Sequence, residues 1–313
     1  MESSPGIKSG RMGAFTIAIN SHHTTSMRKM FSLVLLQLSA IICFGQIKFN
    51  YDLDKPDITH QLPAVLNEIS GLTDIDNDHI ACVQDELGIV FIYNFRSGEM
   101  VSQHRFDSVG DFEGLTYTGK SLYILRSDGR LTEWNDFPTN KSSFIHSRLS
   151  LATSNNEGLC YDPGYNRLLI AAKSKPQNHD EKSERFIYGY DLTTKKIKDQ
   201  PVYIINVEHL AASAKVSGIK QEGLTTKGAT KPFNFRPASL AVHPVTDDLY
   251  VISAADQLLI VINRKGEILH MRTLSIERFA KAEGITFLRN GTMIITNEAA
   301  GKTPNLYVFE MKP

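Results

Sequence analysis

Carboxylates recur at one kind of position along this chain. Glu68-Ile69-Ser70-Gly71-Leu72 returns as Asp111-Phe112-Glu113-Gly114-Leu115, Asn155-Asn156-Glu157-Gly158-Leu159 and Lys281-Ala282-Glu283-Gly284-Ile285, while Arg236-Pro237-Ala238-Ser239-Leu240 is a degenerate copy without the acid. If the fold brings Glu68, Glu113, Glu157 and Glu283 around one axis, they repel one another and burial raises their pKa values. Ca²⁺, which accepts about six to eight oxygen ligands in flexible geometry, would relieve both effects. Two other chemistries stay open at this point. Each glutamate could cap backbone N–H groups of its neighbour, or act directly on a substrate.

A second row follows each copy by one strand and a turn: Gln84-Asp85-Glu86, Arg126-Ser127-Asp128, Lys173-Ser174-Lys175, Ser253-Ala254-Ala255-Asp256 and Asn297-Glu298. Arg126, Lys173 and Lys175 could pair with the carboxylates or hold an anionic ligand. As solvated turn residues they would do neither. No Gly-x-Ser-x-Gly, phosphate-binding Gly-x-x-x-x-Gly-Lys, His-Glu-x-x-His or Cys-x-x-Cys signature is present. His243 stands before Pro244 in a turn and reads as structural. Trp134, the only tryptophan, reads as a packing residue.

What must position these residues is a repeat. Positions 68, 113, 157, 238 and 283 are separated by 45, 44, 81 and 45 residues, a period that signals an array of identical supersecondary units. Each copy starts about four short strands punctuated by Asn, Asp and Gly turns, the content of one blade of an all-β β-propeller. The last copy, from Gly284, has only three strands. Asp57 to Leu62 precedes the first copy as each fourth strand precedes the next, so it can complete the last blade and leave no open edge. Five blades is the most economical count. The 81-residue step then holds an insertion at about 208–235, comprising a helix-like stretch from Glu208 to Gly218 and a polar segment in which Gln221-Glu222-Gly223-Leu224 mimics the repeat without a following strand pair. Were that copy real, there would be six blades.

Composition narrows the function classes. Lys plus Arg and Asp plus Glu balance at 34 each, so no charge excess points to nucleic acid or anionic membrane. Met27-Arg28-Lys29-Met30 is followed by an apolar run from Phe31 to Phe44 and small residues at Cys43 and Gly45. This order fits a signal peptide over 27–45, behind a leader or mis-assigned start over 1–26. The run is too short to anchor in a bilayer. A single propeller domain over 46–313, periplasmic or secreted and monomeric, is expected. Cys82 and Cys160 fall in strands of non-neighbouring repeats and are expected as buried free thiols.

With these residues in hand, the chain resembles the SdiA-regulated family of bacterial envelope β-propellers, which is related to phytase-like and esterase-like propellers. The stretches that carry the resemblance are Glu68–Leu72 with Ala81–Gly88, Asp111–Leu115 with Tyr123–Gly129, Glu157–Pro163 with Leu169–Pro176, Pro237–Pro244 with Leu249–Ala254, and Ala282–Gly291 with Ile294–Glu298. The resemblance implies an exported propeller with a calcium site in or near the channel, and puts Glu68, Asp85, Glu113, Glu157, Glu283 and Glu298 at the family's acidic positions. Arg126, Ala172 and Ala255 depart from that pattern. They weaken a metal site on their side and favour a basic, anion-binding patch there. The expected function is a binding or scaffold propeller for a small-molecule or envelope ligand with an acidic, Ca²⁺-compatible channel mouth. The alternative is a calcium-dependent hydrolase of a phosphate ester or lactone.

Overall fold

Alternation along each strand sends successive side chains to opposite faces, and here the two faces belong to two different neighbours. In the strand Arg167–Ala172, Leu168 and Ile170 pack towards Tyr123, Leu125 and Tyr188, whereas Leu169 and Ala171 pack towards Leu240, Val251 and Ile260. The buried apolar residues accordingly fall into five clusters, one in each wedge between adjacent sheets. A fully apolar strand is the sequence signature of a sheet covered on both faces.

The computed structural model describes residues 48–139, 143–176, 183–219, 223–224, 230–231 and 233–313. The leader over 1–26, the signal segment over 27–45 and Glu222 lie outside the described residues. Phe49–Pro313 forms one compact unit. Its four-stranded antiparallel blades run outward from inner strands Ile69–Asp74 (blade 1), Phe112–Tyr117 (blade 2), Asn156–Asp162 (blade 3), Ser239–Val242 (blade 4) and Ala282–Phe287 (blade 5). These inner strands touch in a closed circle, each packing on the next and blade 5 on blade 1. The ring therefore has five blades.

Closure is by both termini. The strand Ile58–Gln61 pairs antiparallel with Asn305–Phe309 and supplies the outer strand of blade 5. Upstream of it, Tyr51 lies in the wedge between blades 4 and 5, its hydroxyl 2.7 Å from Nε2 of His243 and donating to the Gly291 carbonyl. Nδ1 of His243 accepts from the Val245 and Thr246 N–H groups. Burial pushes its pKa down to about 4, so the neutral ring carries its proton on Nε2 and serves structure, as its turn position suggests.

Hydrogen bonds join the inner strands where their side chains meet. Thr73 Oγ1 accepts from Tyr117 N, Thr116 Oγ1 from Tyr161 N, and Thr286 Oγ1 from Asp74 N. Turns between the third and fourth strands repeat one device. Asn94, Asp191 and Asn263 each accept two backbone N–H groups with a side-chain oxygen.

Blade 3 departs from the pattern, because its third strand Glu184–Asp191 pairs with two short outer strands, Lys196–Ile197 and Tyr203–Asn206. The helix Val207–Val216 follows, with Asn206 Oδ1 capping His209 N and Gly218 at φ +69° beyond its end. In the insertion Gly223–Leu224, part of the motif-like stretch itself, forms a strand pair with Thr230–Lys231. It is a two-stranded sheet of its own and adds no blade. Cys82 and Cys160 are buried free thiols, and burial raises the Cys82 pKa to about 12. Trp134 packs against Phe137 and Phe144 in the wedge between blades 1 and 2.

Candidate functional site

The mouth of the channel is built by a repeated irregularity. Inner and second strands pair in regular register up to Gly71, Gly114, Gly158 and Gly284, then the register shifts by one residue. The residues left unpaired are Ser70, Glu113, Glu157 and Glu283. A β-bulge re-aims the extra side chain and bends the strand. Blades 2, 3 and 5 use it to present a glutamate. The glycine that follows is demanded by close approach: a Cβ on Gly71 would lie 2.9 Å from Gly114 Cα, and one on Gly114 would lie 2.7 Å from the Glu157 carbonyl oxygen.

This register corrects one expectation. Glu68 stands two residues before the bulge, in line with Asp111, Asn155 and Lys281, and blade 1 places Ser70 at the glutamate position. Ser70 Oγ donates to the Phe112 carbonyl. Glu68 is exposed on the rim, where its charge is felt by Asp85 and Glu298.

Two ammonium groups stand among the carboxylates. Lys173, on the turn after the second strand of blade 3, places Nζ 2.8 Å from Glu157 Oε2. Burial works against its charge, but Glu283, Glu157 and Glu113 outweigh that and raise its pKa. Lys281 pairs closely with Glu298 and lies 4.0 Å from Glu283 Oε1. Again burial opposes the ammonium, and Glu298 and Glu283 prevail. Lys281 was not anticipated as a site residue. The copies place it in one column with Glu68, Asp111 and Asn155, residues of mixed type that share no chemical signal.

The carboxylates are left under-compensated. Burial, then the charges of Glu157 and Asp111, push Glu113 up to about 9. Burial pushes Glu283 up to about 7, with Glu157 and Glu298 adding to it and Lys173 and Lys281 opposing. Glu157 is raised by burial in spite of Lys173. Asp85 and Glu298 on the flank are raised by burial too. Among the described residues Glu113 makes no ion pair. The mouth also contains polar atoms without partners in the protein, both amide atoms of Asn297, Thr296 Oγ1 and Asp85 Oδ1. Buried polar groups of this kind ordinarily have a partner in the chain, in water or in a ligand.

The expected basic patch does not assemble. Arg126 turns to Asp128 of its own hairpin, 3.6 Å away, and Asp128 is shared with Arg148. Lys175 is exposed. Only Lys173 joins the carboxylates, as a counter-charge. The donor set also does not fit a ready-made calcium site. Among the described residues no three His, Cys, Asp or Glu side chains group as a metal would require, and Lys173 and Lys281 stand between the acids. Chemically, the arrangement can take up positive charge, exchange protons near neutrality, and accept or donate hydrogen bonds through Asn297.

No match was found among curated proteins. Among solved structures, the chain is similar to a Myxococcus xanthus glutaminyl cyclase at 14% identity, with 82% of this chain and 96% of that one covered and a TM-score of 0.52. It is also similar to a luciferin-regenerating enzyme at 11% identity, covering 82% and 95% with a TM-score of 0.49, and to a streptogramin B lyase at 12%, covering 80% and 97% with a TM-score of 0.45. The likeness to the glutaminyl cyclase shows a shared fold and nothing about activity. The model of the SdiA-regulated family matches residues 47–310, in agreement with the repeat, the ring closure and the order of motifs. The chain belongs to the SdiA-regulated family of β-propellers.

Proposed function

We propose that this chain is an exported binding protein whose channel mouth takes up a cation in exchange for a proton. One observation carries the reading: Glu113 is half-buried, has no ion-pair partner among the described residues, and has its pKa pushed up to about 9 by burial and by neighbouring carboxylates. At neutral pH the proton is the counter-charge of Glu113, and an arriving cation would replace it. Asp85, Glu113, Glu157, Glu283 and Glu298, with Asp111 and Glu68 on the exposed rim, outnumber Lys173 and Lys281, so a positive ligand relieves more repulsion than it creates. Export rests on the basic, apolar and small residues of 27–45, and among the described residues no helix is long and apolar enough to cross a membrane.

Calcium is the ion the family resemblance suggests, and it serves as the first probe although no calcium cage is preformed. Calorimetric titration of CaCl₂ near neutral pH, in buffers of different ionisation enthalpy, should give binding with proton release. In Glu113→Gln that release should vanish. Heats that are absent, or identical in all buffers, would remove the reading.

One feature favours the alternative, hydrolysis of a phosphate ester or lactone. Glu113, its pKa raised to about 9 and with no ion-pair partner among the described residues, shares the mouth with Glu157, which Lys173 pairs at 2.8 Å, and two carboxyls in such different company are the usual equipment of an acid and a base. Turnover of simple phosphoesters or lactones that is lost in Glu113→Gln would turn the assignment from binding protein to enzyme.

A further inference from the structure

The opposite mouth of the channel has a different chemistry. A cavity of about 630 Å³ opens there, lined by residues of all five blades, a volume suited to a small molecule. The five inner strands each contribute the same position to it, three residues after the glycine or its serine substitute: Asp74, Tyr117, Tyr161, Val242 and Phe287. Four of the five are aromatic or aliphatic, and one is an acid. Asp74 is largely buried, and Oδ1 accepts from Thr286 Oγ1 at 3.1 Å. It makes no ion pair among the described residues. Arg289 stands at the rim of the same cavity and is exposed.

From this girdle we infer that the second mouth binds a small organic ammonium compound, with the ammonium on Asp74 and the carbon body against Tyr117 and Tyr161. Asp74 supplies an ion-pair partner, and Tyr117 and Tyr161 aromatic walls, for one positive group. The other carboxylates of the cavity are engaged, Asp76 by the His79 backbone N–H and ring and Asp247 by Arg264. A neutral polyol would leave Asp74 without its counter-charge. An anion would face Asp74 directly, with Arg289 only at the rim. Asp74 is raised by burial and is the group whose charge such a ligand would restore. The site is separate from the carboxylate mouth and does not depend on the function proposed for that mouth.

The test is binding of phenethylammonium, phenylalanine and 2-phenylethanol to the full chain, followed by ligand-observed NMR and calorimetry. Phenethylammonium should bind and 2-phenylethanol should not. Phenylalanine adds a carboxylate within reach of Arg289. Binding of phenylalanine that is tighter than phenethylammonium and lost in Arg289→Gln marks the ligand as a zwitterionic amino compound. The reverse order marks a simple amine. Asp74→Asn should weaken phenethylammonium by about tenfold or more. Because Asp74 also holds Thr286, the variant's unfolding midpoint is recorded, and Tyr161→Leu gives an independent arm in which affinity falls by about threefold with Asp74 intact. Failure of phenethylammonium to bind, equal binding of the alcohol, or unchanged affinity in a folded Asp74→Asn protein would overturn the inference.

Discussion

Lys173 Nζ lies 2.8 Å from Glu157 Oε2, and the two residues come from the second-strand turn and the inner-strand bulge of the same blade. Glu157 is buried with its side chain only 4% exposed, so the ammonium is what allows it to be charged at all. Lys173→Met should therefore destabilise the fold by about 3 kcal/mol at neutral pH. The sign with pH follows from the carboxyl. Without Lys173 its folded pKa rises further above the unfolded value, so the loss grows as pH rises and shrinks in acid. Urea unfolding of wild type and variant at acid and neutral pH measures it, and a pH-independent difference would mean that only packing was lost.

Glu113 gives the wild-type protein its own pH dependence. Its folded pKa of about 9 stands above the ordinary value of 4.5, so the folded state holds a proton that the unfolded state releases. The resulting stabilisation is complete below about 4.5 and is lost as pH rises through about 9. Glu283, raised to about 7, adds to the lower part of that window. Stability should fall with pH across this range by at most about 1.4 kcal/mol per pH unit for each proton. Glu113→Gln should flatten the slope and be the more stable protein at alkaline pH, as urea midpoints across the range will show.

Backbone proximity at the bulges predicts a stability effect without any change of charge. A methyl at Gly114 meets the Glu157 carbonyl oxygen at 2.7 Å and Leu159 Cβ at 2.9 Å. Neither is the far end of a flexible side chain, so the inner strands of blades 2 and 3 must separate. Gly114→Ala should cost about 2 kcal/mol or more. Thermal unfolding checks it. Gly119→Ala provides the contrast, since nothing lies within 4 Å of its added methyl and only its φ of +88° resists the change.

The N-terminal segment is a working part of the ring. Tyr51→Phe removes the hydroxyl that links His243 and the Gly291 carbonyl. A loss of about 1 kcal/mol is expected from the missing hydrogen bonds, measured by denaturant titration. An unchanged midpoint would show that the segment does not fasten blades 4 and 5.

Much of this architecture was legible from the chain, and the site was legible only in part, for identifiable reasons. The repeat and the missing strand of the last blade carry the five-bladed ring, because strand alternation, turn residues and period are local properties. Register is not local in that sense. Glu68-Ile69-Ser70-Gly71 and Phe112-Glu113-Gly114 look alike when matched on the acid, yet the ring packs on the glycine, and a shift of two residues moved Glu68 from the channel to the rim. Lys281 shares a column with Glu68, Asp111 and Asn155, whose mixed types give no chemical signal. Arg126 and Lys173 occupy similar turns and are equivalent by sequence position. What separates them is Asp128, which holds Arg126 in its own hairpin, while no acid of that kind detains Lys173. The second mouth was invisible because its girdle of Asp74, Tyr117, Tyr161, Val242 and Phe287 has no shared residue type to betray it.

In the proposed function Glu113 holds a proton which a cation replaces. That exchange is tested most directly by the side-chain carboxyl carbon of Glu113, assigned through Glu113→Gln and followed by NMR across pH with and without CaCl₂. A titration midpoint near 9 is expected in the free protein, moving to lower pH when the cation is present. A midpoint in the ordinary carboxylate range, indifferent to the cation, would contradict it.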